Sequence, residues 1–241
     1  RRAAQRGGKA EPRRIRRARN IPVVALDATP AEMERVAADP AVAQVSIDRH
    51  MDMAALNDTV PLIGASALTA SGYDGTNQIV AVLDTGIDLS HPWFQGRLID
   101  GACFSRSDAE NVSLCPNGAS VQFGIGAPAR CTFSAFENLC AHGTIVTGVV
   151  TGRNPSPAFG EPLYGTARGA MLLPIQTWSY NVATKSLGSW TSDTILALDH
   201  IYSRRNAYPG KSITAVSISY GGRTVSGACP DEEMRPAIQK I

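Results

Sequence analysis

Five consecutive apolar residues, Ile79-Val80-Ala81-Val82-Leu83, three of them β-branched, run into Asp84-Thr85-Gly86. A run this short and unbroken predicts a strand buried on both faces. The polar triplet after it predicts a functional turn at the carboxyl edge of a sheet, where open α/β sheets collect ligands and catalytic groups. Upstream, Ile21 to Leu26 reads as a short strand and Pro30 to Ala38 as a helix, with Thr29 as N-cap, Pro30 at N1 and acids in the first turn. Asp39-Pro40 stops that helix, and Val42, Val45 and Ile47 lead out along another strand. Downstream, the pattern predicts a short helix near Ala65 to Ala70 and a turn at Gly72-Tyr73-Asp74-Gly75. A longer helix opens at His142-Gly143-Thr144, with Ile145, Val146, Val149 and Val150 on one face and Gly152 as its stop. A strand at Met171 to Gln176 follows, then an amphipathic helix at Thr191 to Arg205 that turns Ile195, Leu198, Ile201 and Tyr202 inward, then a strand at Ile213 to Ser219. Pro230-Asp231-Glu232-Glu233 has the form of one more helix start. Strand, helix, strand, helix, strand is the order of a mainly parallel sheet with covering helices, an α/β class.

Residues 90 to 141 lack this periodicity and read as mostly loop. So long a segment in a compact domain is either cross-linked or functional. Cys103, Cys115, Cys131 and Cys140 lie within it, in surroundings rich in Gly, Ser, Asn and Pro, and Cys229 is a fifth. They read as disulfide staples formed in an oxidising compartment, with three pairings of the first four open. Zinc is the rival reading, but the spacing lacks a C-x-x-C pair, and Cys140 with His142 does not complete four ligands.

Charge changes the picture at one end only. Residues 1 to 20 hold nine Lys and Arg against the single Glu11, while the remainder carries 14 basic and 20 acidic residues. No aromatic side chain is interleaved with the run Arg13 to Arg19, so it reads as a solvated, disordered tail and not as a nucleic-acid site. No apolar run reaches membrane-spanning length, and the expected partners include neither membrane nor nucleic acid. The division expected is a basic tail at 1–20, a partial inhibitor-like unit at 21–50, a linker at 51–60 and a main domain at 61–241 with a Cys-rich insertion at about 100–141.

Val82-Leu83-Asp84-Thr85-Gly86-Ile87-Asp88-Leu89-Ser90-His91-Pro92 resembles the catalytic-Asp motif of the subtilisin-like serine proteases, the subtilases. His142-Gly143-Thr144-Ile145-Val146-Thr147-Gly148 resembles their catalytic-His motif, and Ser217-Ile218-Ser219-Tyr220-Gly221-Gly222 is similar to their substrate-binding strand. The resemblance implies a three-layer α/β/α fold, incomplete here, preceded by a partial α+β propeptide unit. It implies a serine endopeptidase in which Asp84 orients His142 and His142 acts as the base. It also implies that Ser219, Tyr220 and Gly221 pair with an extended polypeptide substrate, with Leu187, Gly188 and Ser189 on its other side. Leu26 to Asp48 is similar to the later part of the family's propeptide, an intramolecular inhibitor, and places a processing cut between about Arg49 and Pro61.

The family's nucleophile in G-T-S-M-A and its oxyanion Asn find no match in these residues, so the chain is expected to be a truncation without activity of its own. Ile145 and Thr147 stand where the family has His and a small residue, which reads as altered packing. Trp93 stands where bacterial subtilisins have a calcium-binding Asp, and Gly152 to Leu163 does not resemble their calcium loop, so no cofactor is expected and structural calcium is disfavoured. His91, His50 and His200 read as structural. The compartment implied is extracellular or periplasmic. Two rivals are an aspartic protease, which would need an all-β fold and a second carboxylate, and a catalytically dead subtilase-like binding or inhibitor module.

Overall fold

A computed structural model describes residues 15–48, 50–53, 63–154, 164–221 and 235–239. The chain opens with two short antiparallel strands, β1 (Ile15–Arg17) and β2 (Val24–Leu26), followed by helix α1 (Pro30–Ala37). α1 has the predicted cap: the Thr29 side chain accepts from the Glu32 N–H, and the Glu32 carboxylate accepts from the Thr29 N–H at 2.8 Å, a complete capping box. Two expectations for this unit change. Ile15–Arg17, read as part of a disordered tail, is a strand because its backbone pairs with Val24–Leu26 and Arg16 forms an ion pair with buried Asp193. Residues 42–48, expected to lead out along a strand, form no strand and join no ladder.

After β3 (His50–Met53) come α2 (Ala65–Ala70), β4 (Gln78–Asp84), β5 (Ala102–Phe104), β6 (Asn111–Ser113), β7 (Val121–Phe123) and α3 (Glu137–Thr151). Then follow β8 (Met171–Gln176), β9 (Trp178–Asn181), β10 (Ser186–Trp190), α4 (Thr191–Arg204), β11 (Ser212–Ile218), β12 (Tyr220–Gly221) and α5 (Arg235–Ile238). The main sheet has the order β11-β4-β8-β5-β7. It is parallel except for β7, which pairs antiparallel with β5. β4 is therefore interior, with β8 at the middle position.

Every residue of β4 from Ile79 to Asp84 is at most 4% exposed, and the period-2 alternation of the strand sends its side chains to two different cores. Ile79, Ala81 and Leu83 pack in one cluster with Ala197, Leu198 and Ile201 of α4. Val80 and Val82 pack in the other with Val146 of α3, Phe94 and Leu172. Burial on both faces is why the strand shows no hydrophobic alternation in sequence.

The segment read as loop is more ordered than its periodicity showed. It contains β5, β6, β7 and two 3-10 turns, and it is closed by disulfides Cys103–Cys115 and Cys131–Cys140. That choice among the three pairings also removes the zinc reading. α3 begins five residues earlier than predicted because the Ser134–Phe136 turn feeds directly into it; its N-cap Phe136 offers no capping side chain, so the usual start signal is missing. Ile145 is not a packing residue, being 59% exposed, whereas Thr147 is fully buried. The helix start expected at 230–233, residues 54–60 of the expected linker and Cys229 lie outside the described residues.

A second sheet, of order β12-β3-β10-β9-β6, is antiparallel throughout. The hairpin of β9 and β10 that it contains was not predicted.

Candidate active site

Asp84 is the last residue of β4 and His142 lies in the second turn of α3, 58 positions later. The ring Nδ1 of His142 lies 2.8 Å from Asp84 Oδ1, with Asp84 1% and His142 9% exposed. A bond to a carboxylate at Nδ1 fixes the tautomer in which Nδ1 carries the proton and Nε2 the lone pair.

Neighbouring residues explain how the two elements are held at this distance. Thr85 donates its N–H to Asp84 Oδ1 at 2.7 Å, and its hydroxyl accepts the Gly143 N–H at 3.0 Å while pointing at the Cys140 carbonyl, 3.4 Å away. Farther along, the Thr144 hydroxyl accepts the Asp88 N–H at 2.8 Å. The Asp-Thr-Gly and His-Gly-Thr segments thus interlock residue by residue. Gly143 is required by the approach itself: a Cβ there would stand 2.2 Å from the Gly86 carbonyl oxygen and 3.1 Å from the Asp84 Cβ. Gly86 is required twice, by a φ of +84° and by the Pro128 and Ala129 carbonyls, each 2.7 Å from where its Cβ would be. Thr85 was not singled out from sequence, and its hydroxyl is the central tie. The signal was available, since a buried Thr after a strand-end Asp must find hydrogen-bond partners.

The second sheet meets this site through its register. β12 follows β11 after Ser219, and β11 runs parallel to β4 with Ile218 opposite Leu83, so Ser219 stands at the same carboxyl edge as Asp84. Tyr220 pairs with Met53 and Gly221 with Asp52, while Ser189 pairs with Met51 and Trp190 with His50. Of the six residues proposed from sequence as substrate-binding, Tyr220 and Gly221 therefore pair with one side of β3 and Ser189 with the other, while Leu187 and Gly188 pair with Tyr180 and Ser179 of β9. Sequence reading put residues 51–60 in a linker; the backbone of 51–53 instead lies inside a sheet.

Tyr220 anchors its side of the groove. Its hydroxyl contacts Thr177 Oγ1 at 2.8 Å and Thr194 Oγ1 at 3.1 Å. Burial pushes its pKa up to about 12, against the opposing hydrogen bonds. At the far end, Asp48 bridges the unit to α4. Its Oδ1 accepts the Ser192 N–H at 2.8 Å, satisfying a helix N-terminus whose own N-cap, Trp190, supplies no capping side chain, and its Oδ2 accepts from Arg106 at 3.1 Å.

Among the described residues no group of three or more His, Cys, Asp and Glu side chains could hold a metal ion. Near Trp93 the guanidinium of Arg97 donates to the carbonyls of Trp93, Arg168 and Ala170, and Arg153 stands near enough to add to the lowering of its pKa caused first by burial. Fixed positive charge on that carbonyl set does not fit a calcium ion. His91 accepts from the Trp93 N–H at 3.3 Å and packs on Trp93 and Phe94, a turn residue. His200 stacks on Phe123, and burial lowers its pKa.

The sequence matches the Peptidase_S8 subtilase family over residues 75–241. The chain belongs to the subtilase family. Among curated relatives, it is 28% identical over 163 residues to Bacillopeptidase F of Bacillus subtilis (strain 168), covering 68% of this chain and 10% of that protein. It is 27% identical over 186 residues to the extracellular serine proteinase of Thermus sp. (strain Rt41A), covering 72% of this chain and 35% of that one. A shorter stretch of 64 residues is 39% identical to the major intracellular serine protease of Bacillus subtilis (strain 168), 27% of this chain and 20% of the relative. This subtilase chain thus spans between a tenth and about a third of the length of these relatives.

Proposed function

We propose that this subtilase chain forms part of a serine endopeptidase unit of three-layer α/β/α build, in which Asp84 orients His142 and His142 transfers the proton. The observation that carries the reading is the buried 2.8 Å contact of Asp84 with His142 beside a strand held between two sheet edges. In the reaction, His142 Nε2 takes the proton of a serine hydroxyl as its oxygen attacks the scissile carbonyl. The electron pair moves onto the carbonyl oxygen and returns as the C–N bond breaks, and His142 hands the proton to the leaving amine. Water then cleaves the acyl-enzyme with the same base. Asp84 stabilises the imidazolium formed in both steps.

No Ser in residues 1–241 stands in a G-T-S-M-A setting, so the nucleophile and the oxyanion Asn are assigned to sequence outside them. These 241 residues alone are expected to hydrolyse nothing. Substrates are extended polypeptides, because recognition by Ser219-Tyr220-Gly221 and Leu187-Gly188-Ser189 is backbone pairing. Residues 15–53 act as the intramolecular inhibitor, since β3 fills the place where a substrate strand would pair. β3 is antiparallel to β12, so its carboxyl-terminal end points to Ser219 and the edge carrying Asp84; the processing cut accordingly falls after Met53 and before Pro61. Two disulfides and an extracellular relative support a compartment outside the cytoplasm.

The test is covalent labelling of the full-length protein by a serine-directed fluorophosphonate, with turnover of an unfolded protein followed alongside. Labelling and turnover that both vanish in His142→Ala support the reading. A folded full-length protein that shows neither would instead favour the binding or inhibitor module.

A further inference from the structure

We propose that the groove ends, on the side away from His142, in a subsite for an acidic side chain of the substrate, formed by the Arg106 guanidinium and the first N–H groups of α4. The proposal rests on the reading of this groove as the substrate cleft and adds a side-chain preference to it.

The site is occupied in this structure by a carboxylate of the chain itself. Asp48 is 27% exposed at its side chain, and its two oxygens divide between the Ser192 N–H at 2.8 Å and Arg106 Nη1 at 3.1 Å. One partner is a helix N-terminus, favourable to an anion, and the other a full positive charge. Arg106 is pre-positioned independently of Asp48. It lies over the Trp190 ring at 4.2 Å, is only 17% exposed at its side chain, and gives Nε to Asp108 at 2.6 Å. Burial pushes Asp108 up, but the donors from Arg106, Asn111 and the Glu110 backbone prevail and hold it at about 2. That carboxylate uses one edge of the guanidinium, and the five N–H donors of Arg leave Nη1 and Nη2 directed elsewhere. Nη2 faces Asp27 at 3.8 Å. The other charged group nearby, Asp193, is already engaged: Oδ2 accepts the Arg106 backbone N–H at 3.1 Å, and Arg16 pairs with its other oxygen.

Asp27, Asp48 and Arg16 all belong to the amino-terminal unit, whereas Arg106, Asp108, Trp190 and Ser192 belong to the body of the domain. When residues 15–53 leave, Arg106 loses two carboxylates and keeps Asp108, the α4 N-terminus loses its cap, and Asp193 loses Arg16 but keeps the Arg106 backbone N–H, buried behind the guanidinium. A substrate that replaces β3 in the same register runs past Trp190 as the chain does now. Its residue four places before the one opposite Gly221 then meets the vacated site, as Asp48 does relative to Asp52.

The experiment uses the full-length protein after release of its amino-terminal unit and fluorogenic peptides of the chain's own sequence 42–61, with Asp, Asn or Lys at position 48. Asp is expected to exceed Asn by about tenfold in kcat/KM, the worth of a charge-assisted hydrogen bond to a partly buried guanidinium, with Lys lower still. Arg106→Gln is expected to bring Asp and Asn together, and Arg106→Lys to keep part of the difference. Each comparison is a ratio within one preparation, so it is independent of the folded fraction. Peptides cleaved at equal rates overturn the subsite. A second arm measures binding to His142→Ala, freed of its amino-terminal unit by an added protease, by fluorescence anisotropy. Binding in the order Asp, Asn, Lys without cleavage by the unmodified enzyme keeps the subsite and overturns the peptidase reading; binding without that order overturns the subsite.

Discussion

Replacing Gly143 by alanine adds one methyl group where α3 touches the end of β4. The new carbon would sit 2.2 Å from the Gly86 carbonyl oxygen, 3.1 Å from the Asp84 Cβ and 3.2 Å from Asp84 Oδ1. An ordinary carbon–oxygen contact is over 3 Å, so the helix must retreat by about 1 Å, because the opposing atom is backbone and the next residue, Ile87, is tied to Pro128 and Arg130 by backbone hydrogen bonds. Overpacking of this kind costs about 1–3 kcal/mol. The retreat also stretches the 2.8 Å bond of His142 to Asp84 and the 3.0 Å bond of Gly143 to Thr85, leaving a buried carboxylate poorly paired, roughly 2 kcal/mol more. Helix propensity returns about 1 kcal/mol in favour of alanine. The net loss of roughly 3 kcal/mol corresponds to a fall in Tm of roughly 6–12 °C for a domain of this size. Misplacing the proposed base His142 by about 1 Å should lower kcat/KM on the order of 100-fold. Gly148→Ala in the same helix is the control, since its Cβ would meet only the Trp93 ring at 3.9 Å, and it should be neutral or stabilising. Calorimetry and peptide hydrolysis on the full-length protein decide the matter. A Gly143→Ala variant with unchanged Tm and rate, matching Gly148→Ala, would refute the claim that close approach at this glycine sets the Asp84–His142 distance.

Asp84→Asn keeps the shape but removes the charge proposed to stabilise an imidazolium; kcat of the full-length protein should fall on the order of 10⁴-fold with KM little changed, and a loss under tenfold would contradict the proposed orienting role. Tyr220, raised by burial to about 12 from 10.0, holds its proton in the folded state at pH values where the unfolded chain releases it. Stability from this group is therefore complete below pH 10 and lost as pH rises toward 12, on the order of 2–3 kcal/mol. Tyr220→Phe should flatten this alkaline decline in urea titrations while costing about 1–2 kcal/mol at neutral pH by stranding Thr177 and Thr194. Replacing both Cys131 and Cys140 by serine opens a loop whose ends are nine residues apart and frees the start of α3, with an expected loss of about 3 kcal/mol in chemical denaturation; an unchanged midpoint would show that the loop is held by other contacts.

Where local physics decides, the sequence reads correctly. β4 is an apolar run because both its faces are buried, α1 carries its full capping box, and α4 buries Ile195 and packs Leu198 and Ile201 on the sheet as its spacing requires, although Tyr202, expected inward, is only half-buried. Asp84 and His142 were legible because each lies in a segment whose small and hydroxyl residues are needed for close approach, and that need leaves a recognisable string. What escaped detection depends on partners far away in sequence. Three-residue strands such as β5, β6 and β7 have no period to detect, and they exist because neighbouring strands and Cys103–Cys115 hold them. The start of α3 lacks a capping side chain, and its signal is a disulfide whose pairing spacing alone leaves open. The register that lays residues 50–53 between β10 and β12, and Asp48 against the amino terminus of α4, is set by backbone pairing and by a carboxylate 144 positions from the N–H it satisfies. The sequence by itself thus determined the family, the buried strand and the two residues at its edge; only the tertiary structure decided what lies in the groove beside them, because backbone hydrogen bonds between distant strands leave no side-chain pattern to read.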